Sequence, residues 1–335
     1  VADFPATLPK VVSARFTADP ARWLLKARSP LVKFRAAVGL LGWPRDAEEA
    51  ASWWGRRYED ADLAAVAAAQ NEDALWYAPA RFFGRRPSLY VPKYLAAVWQ
   101  LRVLADLGLG VDEPLAASAV AAMLAVRTGD GFFDLGPGGP FVRANALAVS
   151  SLSGLGVDGA ELAAAREWLA SRQRPDGGWA DGFEVDVGAP STVATTAEVL
   201  RAVAGGEGVA VAAARERGKA YLCANFFTDY NGRFPPSSRP WRRLGWPQFH
   251  YDALSVATAL AAAGASRRDV TPLAAAVRDL QTRRGFWRQQ VPINEPCWLA
   301  PVRAGRASRW VTYRAASFLI WFYGGAAAES DCDVS

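Results

Sequence analysis

The chain has 335 residues, 51% of them hydrophobic, and a formal net charge of +5; that length and apolar content suffice for a large core and argue against disorder. One histidine excludes multi-histidine zinc sites and leaves at most one place for a Ser/His/Asp triad, while Cys223, Cys297 and Cys332 form no CxxC pair and are too scattered for a disulfide framework. The positive charge is mostly arginine, without the concentrated basic patch of a nucleic-acid binder, and neither a membrane-length apolar run nor a signal-peptide pattern is present, so the sequence reads as a cytoplasmic protein.

In chain order, residues 1–45 include "DPARWLLKARSP" and read as an arm with short helices that packs on the rest. "DAEEAASWWGRRY" and "DADLAAVAAA" are candidate outer helices, and "SLYVPKYLAAVWQLRVLADLGLG" reads as a more buried one. From there a repeat takes over. A Gly-aromatic turn recurs at Phe133, Trp179, Phe234 and Trp287, at intervals of about fifty residues. An Ala-rich, partly charged helix precedes each turn ("EPLAASAVAAMLAVR", "GAELAAAREWLASRQ", "VAVAAARERGKAYLCANF", "TPLAAAVRDLQTRR"). A nearly uncharged one follows it ("FVRANALAVSSLSGLG", "STVATTAEVLRAVAGG", "FHYDALSVATALAAAG", "VTYRAASFLIWFYGG").

The charged helices suit an outer ring with one wet face, and the uncharged ones an inner ring buried on most sides. The predicted fold is therefore all-α: an α/α barrel, or toroid, of five to six helical hairpins. Residues 46–326 form this barrel, and residues 327–335 a disordered tail. Strand signals are weak throughout.

The segment "LASRQRPDGGWADGF", continuing into "STVATTAEVLRAVAGG", resembles the QW repeat of squalene–hopene cyclases, oxidosqualene cyclases and protein prenyltransferase β subunits, with Gln173 and Trp179 as the matching residues. "LQTRRGFW" carries a weaker copy in Gln281 and Trp287. Length and the segment "SPLVKFRAAVGLLGWP" are also similar to small single-barrel bacterial proteins of the prenyltransferase and squalene-oxidase-repeat kind. The resemblance implies an aromatic pocket for an isoprenoid chain, lined by inner-helix ends and long turns. It also implies acid-initiated cyclisation or isomerisation, since aromatic faces stabilise carbocations that must be kept from water.

The chain departs from the family's chemistry, having neither DxDD nor DDxxD. The nearest counterpart by position is "PQFHYDALSVATAL", where Asp252 is the candidate acid and His250 its partner. An Asp at that place is also an ordinary helix cap. The remaining candidate pocket residues are Tyr251, Trp246, Phe183, Glu184, Asp186, Glu295, Trp298, Arg309, Trp310 and Tyr313. The arginines of "RAGRASRW", ending in Arg309, lead into an inner helix whose N-terminus attracts anions. No metal or other cofactor is expected, with magnesium entering only alongside a diphosphate substrate; Asp252, Cys297 and His250 form a weak match to the prenyltransferase zinc ligands.

Two other functions fit the sequence. A carbohydrate-active hydrolase or lyase would pair Glu184 or Asp186 with Glu295 across a groove, and a lipid-binding or scaffolding protein would have the cavity without a buried acid. A homodimer or second subunit covering the cavity is the expected partner, with an apolar small molecule as substrate.

Overall fold

The structure is a computed structural model that describes residues 4–77, 88–136, 139–157, 159–181, 190–227, 242–247, 252–293, 296–300 and 303–324. Among the described residues it is all-helical, and the only extended pairings are two isolated bridges, Arg127 with Phe133 and Arg288 with Ala307.

Six inner helices follow one another around an axis: α3 (Pro30–Leu41), α6 (Ala97–Leu107), α8 (Val142–Gly154), α10 (Val193–Val203), α12 (Ala253–Ala262) and α14 (Arg309–Gly324). From α6 onward each packs against the next, and α14 packs against α3. Outside them lie α2 (Pro20–Leu25), the broken pair α4 (Glu48–Gly55) and α5 (Ala61–Ala68), α7 (Pro114–Ala125), α9 (Gly159–Ser171), α11 (Val209–Asn225) and α13 (Arg267–Arg278); a one-turn helix, α1 (Lys10–Ser13), touches α14. Each outer helix precedes its inner partner in the chain, so the described residues form an α/α toroid of six hairpins. The inner helices are buried over most of their length because apolar residues recur on every side of them.

The first hairpin differs from its sequence reading. Residues 1–45 were expected to form an arm on the barrel, but α2 and α3 complete the ring. Gly39 of α3 passes so close to α14 that a Cβ there would lie 2.5 Å from Tyr313 Oη. The reason is the buried face of α14, which carries Trp310, Tyr313 and Phe318 and needs a neighbour on each side. At the other end of the chain order, α13 starts at Arg267 and not at the "TP" dipeptide, because Ser266 and Asp269 make a reciprocal capping box that outweighs the proline signal.

The repeat turns share one geometry. In the two tryptophan turns, an indole N–H donates to the carbonyl ten residues back: Trp179 Nε1 to Leu169 O and Trp287 Nε1 to Val277 O, both at 2.7 Å. The backbone N–H of the aromatic residue reaches a polar side chain on the following inner helix: Thr196 for Trp179 (3.0 Å), Thr312 for Trp287 (2.9 Å) and Asn145 for Phe133 (2.7 Å). A glutamine closes the arrangement by donating both to the turn and to the next hairpin. Gln173 Nε2 bonds Gly177 O and Ala214 O, each at 2.8 Å, and Gln281 Nε2 bonds Gly285 O and Ala18 O. Phe133, Trp179 and Trp287 are fully buried, so these aromatics join hairpins together; Phe234 lies outside the described residues.

A further copy of the turn was not legible in the sequence. Trp76 Nε1 donates to Val66 O at 2.8 Å, and Gln70 Nε2 bonds Ala74 O and Leu115 O. The position held by Gly177 and Gly285, both with φ near +86°, is Ala74, with φ 64°. Without the glycine the motif lacks its written signature. A left-handed alanine is strained by roughly 1–2 kcal/mol, so Ala74→Gly is expected to raise the urea midpoint at unchanged m, by the equivalent of about 0.5–1 kcal/mol once the greater freedom of glycine in the unfolded chain is subtracted. A lowered midpoint would refute the strain. Gln173→Ala, which strands two buried carbonyls, is expected to cost about 1–3 kcal/mol in the same measurement.

Candidate functional site

The axis of the toroid is charged. Arg102 on α6 donates to Asp106 one turn along (3.1 Å) and across to Glu198 on α10 (3.2 Å); Arg201, also on α10, donates to Glu198 at 3.2 Å. Ser150 on α8 adds a 2.7 Å hydrogen bond to Glu198, and Arg201 continues to Ser255 O and Thr258 on α12. Asp106 accepts from Trp246 Nε1 at 3.2 Å. One network therefore spans four inner helices and an outer-to-inner connection.

Burial alone would raise both carboxylic acids, but the guanidiniums outweigh it. Arg201 and Arg102 hold Glu198 down to about 2, and Arg102, Arg314 and Arg201 hold Asp106 below its ordinary range. Both are fixed anions and poor proton donors. Arg201 is lowered to about 10, by burial first and then by the neighbouring Arg102, with Glu198 opposing.

Beside this network is a cavity of about 340 Å³. Arg35, Arg102, Arg201 and Arg314 contribute guanidiniums to its lining, and Tyr313, Phe318 and Trp321 contribute rings. It lies along the C-terminal halves of α6, α10 and α12, whereas the expected aromatic pocket was placed at the opposite end, where outer helices lead into inner ones.

Several predicted residues come together, and one of them, Tyr313, also lines the cavity. Trp246 and Trp310 lie with ring centroids 5.4 Å apart, and Tyr313 meets Trp310 edge-on at 6.4 Å, so these three form one run. Trp298 donates Nε1 to Leu95 O at 3.0 Å. Arg309 does not join them: its guanidinium lies 5.3 Å from the ring centroid of Trp23 on outer helix α2. Asp252 is buried and caps α12, with Oδ1 accepting from Ser255 N at 2.8 Å and Ser255 Oγ returning a bond from Asp252 N. His250, Tyr251, Phe183, Glu184, Asp186 and Glu295 lie outside the described residues. Among the described residues, no group of three His, Cys, Asp or Glu could hold a metal ion, and no helix is long and apolar enough to cross a membrane.

Sequence reading missed Asp62, on α5. Burial, aided by Asp60, pushes its carboxyl up to about 6, against the opposing pull of the Trp310 side chain and the Ala300 backbone. Asp181 is also raised by burial, against the opposing pull of Arg143, 3.7 Å away, and Lys93. Nothing in the sequence distinguishes Asp62 from a helix-start acid. The axial charges did leave a signal, because Arg102, Asp106, Glu198 and Arg201 stand at i,i+4 and i,i+3 spacing in helices otherwise nearly free of charge.

No protein-family model matches the chain, and no curated protein matches it in sequence. Among solved structures, it is similar to a protein from Actinoplanes (16% identity, 93% of this chain and 98% of that one, TM-score 0.47). It is also similar to the type II terpene cyclase MstE from Scytonema in complex with geranylgeranyl dihydroxybenzoate (14% identity, 91% and 88%, TM-score 0.44). A polysaccharide lyase is a third (11% identity, 98% and 81%, TM-score 0.34). At these identities and TM-scores the likenesses transfer no residue role to this chain.

Glu198→Gln leaves Arg102 and Arg201 without their shared buried anion and is expected to destabilise the fold by about 3–5 kcal/mol in denaturant unfolding; a loss below about 1 kcal/mol would show the network to be dispensable. Because the folded pKa of Glu198 is depressed, its contribution is present above the unfolded value near 4.5 and disappears as pH falls toward about 2. Asp62 has the opposite sign. Its ionisation penalty is absent below about pH 4 and develops as pH rises through about 6, so Asp62→Asn is expected to shrink the fall in melting temperature between pH 5 and pH 8.

Proposed function

We propose that the protein is a terpene cyclase-like enzyme that carries out acid-initiated cyclisation or isomerisation of an isoprenoid or similarly apolar substrate. The supporting observation is the placement of Asp62, a carboxyl group pushed toward its neutral form, beside Trp310 of the aromatic run Trp246, Trp310 and Tyr313.

Protonating an alkene requires a carboxylic acid that is still protonated near working pH, and the cation it creates needs electron-rich ring faces and little water. Glu198 and Asp106 fail the first requirement because their arginines hold them ionised. Asp252 is engaged as the cap of α12, its Oδ1 accepting from Ser255 N–H. Asp62 is thus the stronger donor candidate, and Asp252, with His250 as its expected partner, is the alternative.

The experiment is product profiling by mass spectrometry of the full chain and its Asp62→Asn and Asp252→Asn variants, incubated with squalene and with isoprenoid diphosphates, with and without magnesium. A cyclised or isomerised product that falls at least a hundredfold in one folded variant and persists in the other is the expected outcome and identifies the acid. Absence of product from the unaltered protein across these substrates would overturn the reading.

A further inference from the structure

Aromatic rings line more of the interior than the run beside Asp62. Tyr313 belongs both to that run and to the cavity, and Phe318 and Trp321, stacked with ring centroids 5.9 Å apart, continue the aromatic surface along the cavity wall. Rings alone would therefore offer a cation a path out of the run. We propose that Arg35 closes this path: its guanidinium, laid over Tyr313, confines the positive charge of the reacting substrate to Trp310 and Trp246 and so decides which product forms. This role rests on the cyclase reading, since only a cationic intermediate needs confining.

The placement of Arg35 is built into the fold. It stands on α3, with its guanidinium carbon 4.8 Å from the ring centroid of Tyr313. Gly108 ends α6 with φ +86°, and a Cβ there would overlap Arg35 Nη1 and Cζ, so the glycine leaves the space that the guanidinium takes. An arginine kept for its hydrogen bonds would be paired, as buried polar groups generally are. Arg102 and Arg201 are, through Asp106 and Glu198. Arg35 forms no hydrogen bond or ion pair among the described residues, and its buried Nε has no partner there; what it does meet is the Tyr313 ring.

The chemistry supplies the reason for a charge at that place. Protonation of the substrate alkene by Asp62 leaves a carboxylate and a carbocation. Each ring closure then converts one C=C π pair into a new C–C bond and moves the positive charge further along the chain, until loss of a proton to water or to the Asp62 carboxylate ends the sequence. Where the charge can rest decides how far it travels. A ring face attracts a cation through its quadrupole, but Tyr313 already carries one, and a second cation against the same ring meets like-charge repulsion in a weakly screening interior. Trp310, 6.4 Å from Tyr313 between centroids, and Trp246, 5.4 Å from Trp310, carry no cation on their faces among the described residues and are the favoured resting places.

The test is the ratio of products, separated by gas chromatography and identified by mass spectrometry, that the full chain and its Arg35→Met, Gly108→Ala and Arg35→Lys variants form from squalene and from geranylgeranyl diphosphate. Each variant is first checked for folding by circular dichroism. Methionine removes the charge and keeps the length, alanine at 108 displaces the guanidinium without altering it, and lysine retains a cation. Expected in Arg35→Met and Gly108→Ala is a rise of about threefold or more in products whose charge has moved further along the chain, relative to the first-formed product, the size of one lost cation–ring preference; Arg35→Lys is expected to keep the unaltered ratio. Should one of the first two fail to fold, the other provides the readout. A product from the unaltered protein whose ratio is unchanged in the folded variants, or shifts equally in Arg35→Lys, would overturn the role of Arg35 and leave the cyclase reading standing. No product from the unaltered protein would overturn both.

Discussion

Burying charge on the axis of the toroid is the constraint around which the rest is arranged. Arg102, Asp106, Glu198 and Arg201 sit where the inner helices face one another, and each is stable there only while its partners on neighbouring helices stay in place. An apolar axis would tolerate small rotations of its helices. A buried ion network does not, because a displaced carboxylate leaves a guanidinium uncompensated at several kcal/mol. The hydrogen bonds from Ser150 and Trp246 extend the same demand to α8 and to the connection before α12.

The periphery is secured differently. Buried indoles and glutamine amides tie α5, α9 and α13 to their own turns and to the next hairpin, and the last of these links closes the ring: Gln281 reaches Ala18, just before the first hairpin. This closure makes the N-terminal hairpin part of the barrel. Near the outer-to-inner connections the described residues are aromatic, with a carboxyl held toward neutrality at Asp62; toward the inner-helix C-termini they are cationic.

How far the sequence foretold this depended on whether the feature repeats. The outer and inner helices, their alternation and the Gly-aromatic turns could be read because apolar periodicity and the glycine requirement are local, written over a few residues and then written again. Where Ala74 replaces the glycine, the local rule is broken and the turn at Trp76 vanished from view although its hydrogen bonds are the same. Among the candidate residues, Trp246, Trp310 and Tyr313 do come together, whereas Arg309 turns outward onto Trp23. Helical phase separates neighbours in sequence: at 100° per residue, Arg309 and Trp310 face different surroundings.

By itself, then, the sequence determined the helical class, the hairpin repeat and the burial of the turn aromatics, since each follows from composition and spacing within one hairpin. Only the tertiary structure decided which charges meet. Arg102 and Glu198 are nearly a hundred residues apart, and Asp62 meets Trp310 across almost the whole chain. Whether a carboxyl is an acid, an anion or a cap depends on the dielectric and the neighbours it finds after the ring closes, and no spacing along the chain encodes that.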